Sequence, residues 1–239
     1  MTVVSSPYCL RAMNVADIPR VSEIERESFP TMWPQTAYKR ELQRNNLAAY
    51  LVVSQDLRAR REGAPGREED VVPGERRAMD GRAGLILARL GRTVWPKARR
   101  VPLQPGPDTA SRERIVGFVG TWFMVDEAHI VTIAVAAAER RRGLGELLLI
   151  AAIELAQRRE QEVVTLECRV SNTGAQALYD KYSFERVGIR KRYYTDNDED
   201  ALIMTTPPIH SQGFRTRFEQ LRAAHRARWG LPRVLHPEL

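Results

Sequence analysis

The sequence predicts an α+β fold built on a mixed sheet, and three consecutive segments carry that expectation. His129 to Val135 is a near-continuous apolar run of the kind buried on both faces of a sheet. Leu144, Leu147, Leu148, Ala151, Ala152 and Leu155 then recur at helical spacing, and Val163 to Cys168 returns to strand character. Two strands joined through a helix of this length run parallel with a right-handed crossover. Strand-like segments on either side of this unit extend the sheet and make it mixed.

The other elements follow in chain order. Leu10 to Met13 reads as a short strand, and Asn14 to Glu27 as a helix with Ile18, Val21 and Ile24 at its spacing. Phe29-Pro-Thr-Met-Trp-Pro34 carries two prolines and is expected to be a loop between two short helices. Leu47 to Val53 is a strand. From 55 to 114 glycine, proline and charges of both signs dominate, a composition that buries too little apolar surface to offset its ordering entropy. This stretch is expected to be a basic, low-order insertion with one short helix from about Arg82 to Leu90, and Trp95 and Leu103 are its candidate anchors. Ile115 to Met124 is again a strand, Val125 to Ala128 a turn, and Asn172 to Tyr182 a short helix. Further strands lie near Phe184 to Arg190 and Ala201 to Thr206. Beyond Pro207-Pro208, Phe214, Phe218, Leu221 and Ala224 fall on one face of a basic amphipathic helix ending near Trp229. The chain thus divides into a domain over 8–206, interrupted at 55–114, and a helical tail over 207–239.

Composition bounds the class. With 43% hydrophobic and 28% charged residues in 239, the chain can bury a core without covalent staples. Two cysteines, Cys9 and Cys168, fit a reducing compartment. The start of the sequence lacks a cationic leader, and no apolar run approaches the roughly 18 residues of a membrane span, so a soluble cytoplasmic protein is expected. The net charge of +7 comes from the insertion and the tail, the remainder being slightly acidic. Such appendages suit a solvated arginine-rich surface or steering toward an RNA-rich assembly.

The most telling stretch is Ala136-Ala-Ala-Glu-Arg-Arg-Arg-Gly-Leu-Gly145, which joins the apolar strand to the leucine-striped helix. Three adjacent arginines at a helix N-terminus repel one another and the helix dipole unless an anion sits among them. Backbone N–H groups in such a turn converge on one polyanion, so a pyrophosphate seat is expected. Two nucleotide motifs are poor fits. A dinucleotide fingerprint needs a third glycine where Leu148 stands, and a phosphate loop needs Gly-Lys-Ser/Thr, which the turn lacks.

Arg140-x-x-Gly-x-Gly145, Leu166-Glu-Cys-Arg-Val-Ser-Asn172 and Ala177-Leu-Tyr-Asp-Lys-Tyr-Ser-Phe184 together resemble the GNAT acetyltransferase superfamily, and within it the ribosomal-protein-alanine N-acetyltransferases of bacteria. The likeness runs from Ile115 to Met204, with a fainter part over Leu10 to Val53. It implies a GNAT-like sheet, mostly antiparallel, with helices on both faces and one parallel strand pair around the cofactor. It also implies acetyl-CoA as cosubstrate and a protein N-terminal peptide as acceptor. Ile133, Ala134 and Val135 would line the acetyl and pantetheine arm, Arg140, Arg141, Arg142, Gly143, Leu144, Gly145 and Glu146 the pyrophosphate, and Asn172 a further cofactor contact. Glu167 would be the general base and Tyr179 the general acid. Phe29, Pro30, Trp33, Tyr193 and Tyr194 would flank the peptide entry.

The chemistry needs both roles. An amine must lose a proton to attack a thioester, and the departing thiolate must gain one. Taken alone, Glu167 reads as a solvated strand carboxylate facing the same way as Thr165, and Tyr179 as a core tyrosine on a helical face with Ala175, Leu178 and Tyr182. The four histidines, His129, His210, His225 and His236, have no metal-ligand spacing, so no metal is expected. The chain departs from the family at Ala137, where proline is usual, at Glu139, where an aromatic or polar residue is usual, and at Ser183, where glycine is usual. Two other readings stand beside this one. Asp196, Asp198, Glu199 and Asp200 would suit a polyamine or aminoglycoside acceptor, and the basic appendages would suit a non-catalytic ribosome- or RNA-associated module.

Overall fold

The computed structural model describes residues 5–30, 34–56 and 113–235. The expected short helix at Arg82 to Leu90, the anchors Trp95 and Leu103, and Trp33 lie outside the described residues.

The centre is an eight-stranded mixed sheet. Its strands are β1 (Ser5–Ala12), β2 (Ala48–Asp56), β3 (Glu113–Met124), β4 (Glu127–Val135), β5 (Val163–Arg169), β6 (Glu185–Tyr194), β7 (Glu199–Thr205) and β8 (Leu231–Val234). Across the sheet they run β6-β7-β5-β4-β3-β2-β1-β8. The β4·β5 pair is parallel, as the intervening helix requires. A second parallel pair, β1·β8, closes the far edge. β2 and β3 pair along their whole length, from Ala48 opposite Trp122 to Asp56 opposite Glu113.

Helices cover both faces. α1 (Ile18–Ser28) and α2 (Gln35–Arg44) lie on one. A short 3-10 turn precedes α1, where Asn14 and Asp17 form a reciprocal capping box and Pro19 occupies the first turn. Val21 and Ile24 then face Tyr38, Val52 and Phe118 in a compact core. The other face carries α3 (Leu144–Arg158), α4 (Thr173–Lys181) and α5 (Gln212–Trp229). The leucine stripe of α3 enters this larger core as expected, but Leu149, Ile150 and Ile153 are buried too, because α5 packs on the far side of α3. Fully burying each such side chain contributes roughly 1.5–3 kcal/mol.

α5 departs from the expected face in one position. Phe214, Phe218 and Leu221 pack inward, whereas Ala224 is exposed and its neighbour His225 is buried. The spacing 214, 218, 221, 225 keeps the stripe on a single helical face; an alanine in fourth place does not. The Phe214 and Phe218 rings stack at 6.1 Å, Tyr182 meets Phe218 edge-on, and Arg222 pairs with Glu154 of α3 at 2.6 Å.

Candidate active site

The parallel ladder between β4 and β5 runs only from Glu127 opposite Val163 to Ile130 opposite Leu166. Beyond it the strands part. On the β3 side, Thr121 pairs with Ile130 and Gly120 with Thr132, so Val131 is an extra residue, a bulge that re-aims β4 just where it leaves β5. Val131 to Val135 therefore turn backbone N–H and C=O groups toward an opening in the sheet. Ile133, Ala134 and Val135 stand on this free edge.

β4 leads through a 3-10 turn, Ala137–Glu139, into the arginine-glycine turn. Gly143 is the residue before α3 and has φ +75°, a conformation that disfavours any side chain; Arg141 also lies in the left-handed region, at +64°. Among the described residues no side chain caps α3, which leaves its first-turn N–H groups available to a ligand. Among the described residues a Cβ at Gly145 would meet only a Val135 methyl at 3.9 Å, which leaves room for a ligand against the backbone. The fit to a diphosphate therefore rests on open amides, a positive helix end and nearby guanidinium groups.

The arginines differ in their ties. Arg140 donates from Nε to the Val135 carbonyl at 3.1 Å and from a terminal nitrogen to Ser28 Oγ at 3.2 Å. Arg142 pairs with the buried Glu139 at 3.1 Å. The side chain of Arg141 is exposed. The Glu146 carboxylate binds Lys181 at 2.6 Å and the Tyr182 hydroxyl at 2.7 Å. Burial raises its pKa, but these two bonds outweigh burial and leave it below the ordinary value. Asn172 caps α4, its Oδ1 accepting from Ala175 N–H at 3.1 Å. One departure from the family pattern gains a reason, and another stands against the backbone's own preference. The Ala137 N–H, which proline lacks, donates to Glu27 at 3.0 Å, and Ser183 adopts φ +64°, where glycine is the easier residue.

Glu167 is the first β5 residue past the last paired position. Its carboxylate is 8% exposed and accepts from His129 Nε2 at 2.7 Å, with an Arg190 nitrogen at 3.1 Å on its other oxygen. Burial pushes its pKa up, yet His129 and Arg190 together bring it below the usual carboxylate range. On its other side His129 faces Glu127, at 3.8 Å. Sequence reasoning missed His129. The signal was present in the parallel register, which sets His129 opposite Thr165, two residues before Glu167 on the same face.

Tyr179 lies across β5 from Glu167. It packs beside Cys168 and the Phe184 ring, whose centroid is 5.6 Å away, and burial keeps its phenol well above its ordinary pKa. Tyr193 and Tyr194 meet edge-on at 5.2 Å, with the Arg190 guanidinium over the first ring and Arg169 over the second. Burial and then the charge of Glu167 raise the Tyr193 phenol, which places this ring within electrostatic reach of that carboxylate. Phe29 packs against the α1/α2 core and Pro30 is exposed beside it. The carboxylates after Tyr194 are largely engaged: Asp196 and Glu199 bind Arg169 at 2.6 and 3.0 Å, and Asp200 binds Lys191 at 2.7 Å.

A splayed parallel pair, an arginine-glycine turn opening the following helix and a carboxylate at the splay are compatible with acyl transfer, and comparison with known proteins shows the family. Residues 101–184 match the Acetyltransferase (GNAT) family. A Bacillus subtilis protein provisionally named a ribosomal protein bS18-alanine N-acetyltransferase is 31% identical over 195 residues, which span 82% of this chain and 92% of that protein. The chain belongs to the GNAT acetyltransferase family and is an acetyl-CoA-dependent N-acetyltransferase.

The ribosomal protein bS18-alanine N-acetyltransferase of Escherichia coli K12 is 40% identical over 96 residues, 39% of this chain and 65% of that one. The crystal structure of an E. coli ribosomal-protein-S18-alanine N-acetyltransferase superposes with a TM-score of 0.55 at 22% identity, covering 84% of this chain and 94% of that one. Mutant forms of a Vibrio cholerae spermidine/spermine N-acetyltransferase give 0.56 at 12% identity, covering 88% and 98%. At these identities the likeness is one of fold, and it does not discriminate between acceptors.

Proposed function

We propose that this enzyme transfers the acetyl group of acetyl-CoA to the N-terminal α-amine of a protein, a small-subunit ribosomal protein of the bS18 kind, in the cytoplasm. The observation that carries this reading is the Glu167 carboxylate, held charged by His129 at 2.7 Å beside the splay of β4 and β5. The named function of the B. subtilis relative supports the acceptor class.

The opening between β4 and β5 offers two approaches. The seat at the start of α3 would hold the diphosphate, and the free edge from Ile133 to Val135 would receive the pantetheine arm and thioester. The acceptor amine would arrive from the α1/α2 face, between Phe29 and Pro30 on one side and Tyr193 and Tyr194 on the other. Glu167 then takes a proton from the amine, directly or through water, as the nitrogen attacks the thioester carbon. A backbone N–H near Val135 stabilises the oxyanion. Collapse expels the thiolate toward Tyr179, which supplies its proton. Attack and departure are thus separate steps, addition of the amine to the carbonyl with Glu167 on one side of β5 and expulsion of the thiolate with Tyr179 on the other. No acyl-enzyme forms.

An α-amine has a reference pKa near 7.7–8.0 against about 10.4 for lysine, so its deprotonation at neutral pH costs roughly 3.4 kcal/mol less. One carboxylate suffices for the smaller demand. The polyamine reading needs free negative charge along the groove, and the salt bridges of Asp196, Glu199 and Asp200 withhold it.

The deciding experiment is acetyl transfer to peptides that differ in their first two residues, with an N-terminally blocked peptide containing an internal lysine as control. The reading expects labelling of free N-termini, alanine first among them. Equal labelling of the blocked peptide, or faster turnover of spermidine than of any peptide, would overturn it.

A further inference from the structure

The C-terminal helix reaches the anion turn. His225 is buried at 5% exposure and its Nε2 lies 3.0 Å from the Gly143 carbonyl oxygen. A carbonyl only accepts, so Nε2 carries the proton. The same oxygen also takes the first bond of α3, from Leu147 N–H at 2.9 Å, so both its lone pairs are engaged. One helical turn on, the indole of Trp229 lies against Gly143. A Cβ at Gly143 would stand 2.6–2.8 Å from indole atoms, closer than real contacts allow. Two residues of α5 therefore grip the single residue that sets the turn, and α5 lies outside the matched span of 101–184.

The geometry of a peptide unit gives this contact a consequence. The Gly143 carbonyl and the Leu144 N–H belong to one rigid plane and point in opposite directions. Holding the carbonyl from the α5 side aims the Leu144 N–H to the side where the seat opens. Trp229 fills the space over the glycine and blocks the plane from rotating. The anchors of α5 make the clamp firm. Its start is fixed by Phe214 and Phe218 against Tyr182, its middle by Arg222 on Glu154, and its end by β8 pairing with β1. From α4, Lys181 and Tyr182 hold Glu146 in the same first turn of α3.

We propose that His225 and Trp229 are positioning residues of the coenzyme seat, pinning the Gly143–Leu144 peptide so that its N–H is pre-aimed at the diphosphate. This rests on the reading of the turn as that seat. Coupling between two sites is reciprocal, so coenzyme binding must in turn tighten the end of α5.

The test measures CoA binding to the full-length protein by calorimetry, together with steady-state kinetics on a reactive peptide. His225→Ala and Trp229→Ala are each expected to weaken CoA about tenfold and raise the KM for acetyl-CoA in step. kcat at saturating acetyl-CoA should stay within about twofold. His225→Gln, which keeps an N–H donor, and Trp229→Phe, which keeps a flat ring, should recover most of the affinity. In the unsubstituted protein, CoA should slow hydrogen exchange at amides 226–230. CoA affinity within twofold of the starting protein in both alanine variants, or amides at 226–230 indifferent to CoA, would overturn the proposal. If the alanine variants fail to fold, the exchange measurement decides alone. Gly145→Asp separates the underlying reading: full CoA affinity in that variant would remove the seat from the turn. Lost affinity there with unchanged affinity in the α5 variants would remove only the clamp.

Discussion

His129 Nε2 stands 2.7 Å from Glu167 Oε2 at the point where β4 and β5 cease to pair. The contact keeps a buried carboxyl ionised against the pull of desolvation, and the other ring nitrogen of His129 lies 3.8 Å from Glu127.

Replacing Glu167 by Gln removes the proposed base but keeps the shape and one acceptor oxygen. kcat should fall by about 10²–10⁴-fold, the usual worth of a positioned general base, with CoA affinity unchanged. Rates at pH 7 measured beside calorimetric CoA binding check this, and a rate within threefold of the original would remove Glu167 from the reaction.

His129→Phe and Arg190→Ala each take away an influence that lowers the Glu167 pKa, so burial regains weight and the pKa rises. The acid limb of the kcat/KM profile should move to higher pH in both variants, further for His129. The stability effect has a definite sign. A lowered carboxyl pKa contributes stability that is fully present above the ordinary value of 4.5 and lost as pH falls through the lowered one. Acid unfolding of both variants should therefore begin at higher pH, as followed by circular dichroism.

Burial holds the Tyr179 phenol protonated through any practical assay range. Tyr179→Phe should lower kcat about 10²-fold or more, by the same factor from pH 6 to 9, with no alkaline limb gained or lost. A loss that appears only at high pH would mean that another group supplies the proton.

Core and edge positions should separate cleanly. Leu148 is fully buried against the sheet beside Gly117 of β3, and Leu148→Ala should cost about 2–5 kcal/mol in denaturant unfolding. Val187 on the edge strand β6 is 61% exposed, and its replacement by Ala should stay within about 0.5 kcal/mol.

Much of the β4-α3-β5 part of the fold was legible because its signals are local. The leucine stripe, the arginine-glycine turn and the alternation around Glu167 all lie within stretches shorter than twenty residues, and Leu166 and Cys168 enter the core as that alternation requires. His129 escaped because its meaning depends on a register between two strands separated by a whole helix. β8 escaped because four residues containing Pro232 carry no periodicity; only the parallel partner β1 makes them a strand. His225 was passed over for Ala224 because apolar character, rather than angular position, guided the choice of the fourth inward residue.

The register of β2 with β3 bears on how such an enzyme diversifies. Asp56 and Glu113 are directly opposed across the ladder, so residues 57–112 leave and re-enter the sheet at one doorway. Doubling the length of a flexible loop between fixed ends costs only about 0.6 kcal/mol, so segments of very different size can be exchanged there without displacing either strand. The ladder from Ala48–Trp122 to Asp56–Glu113 thus fixes the two strands independently of how many residues join them.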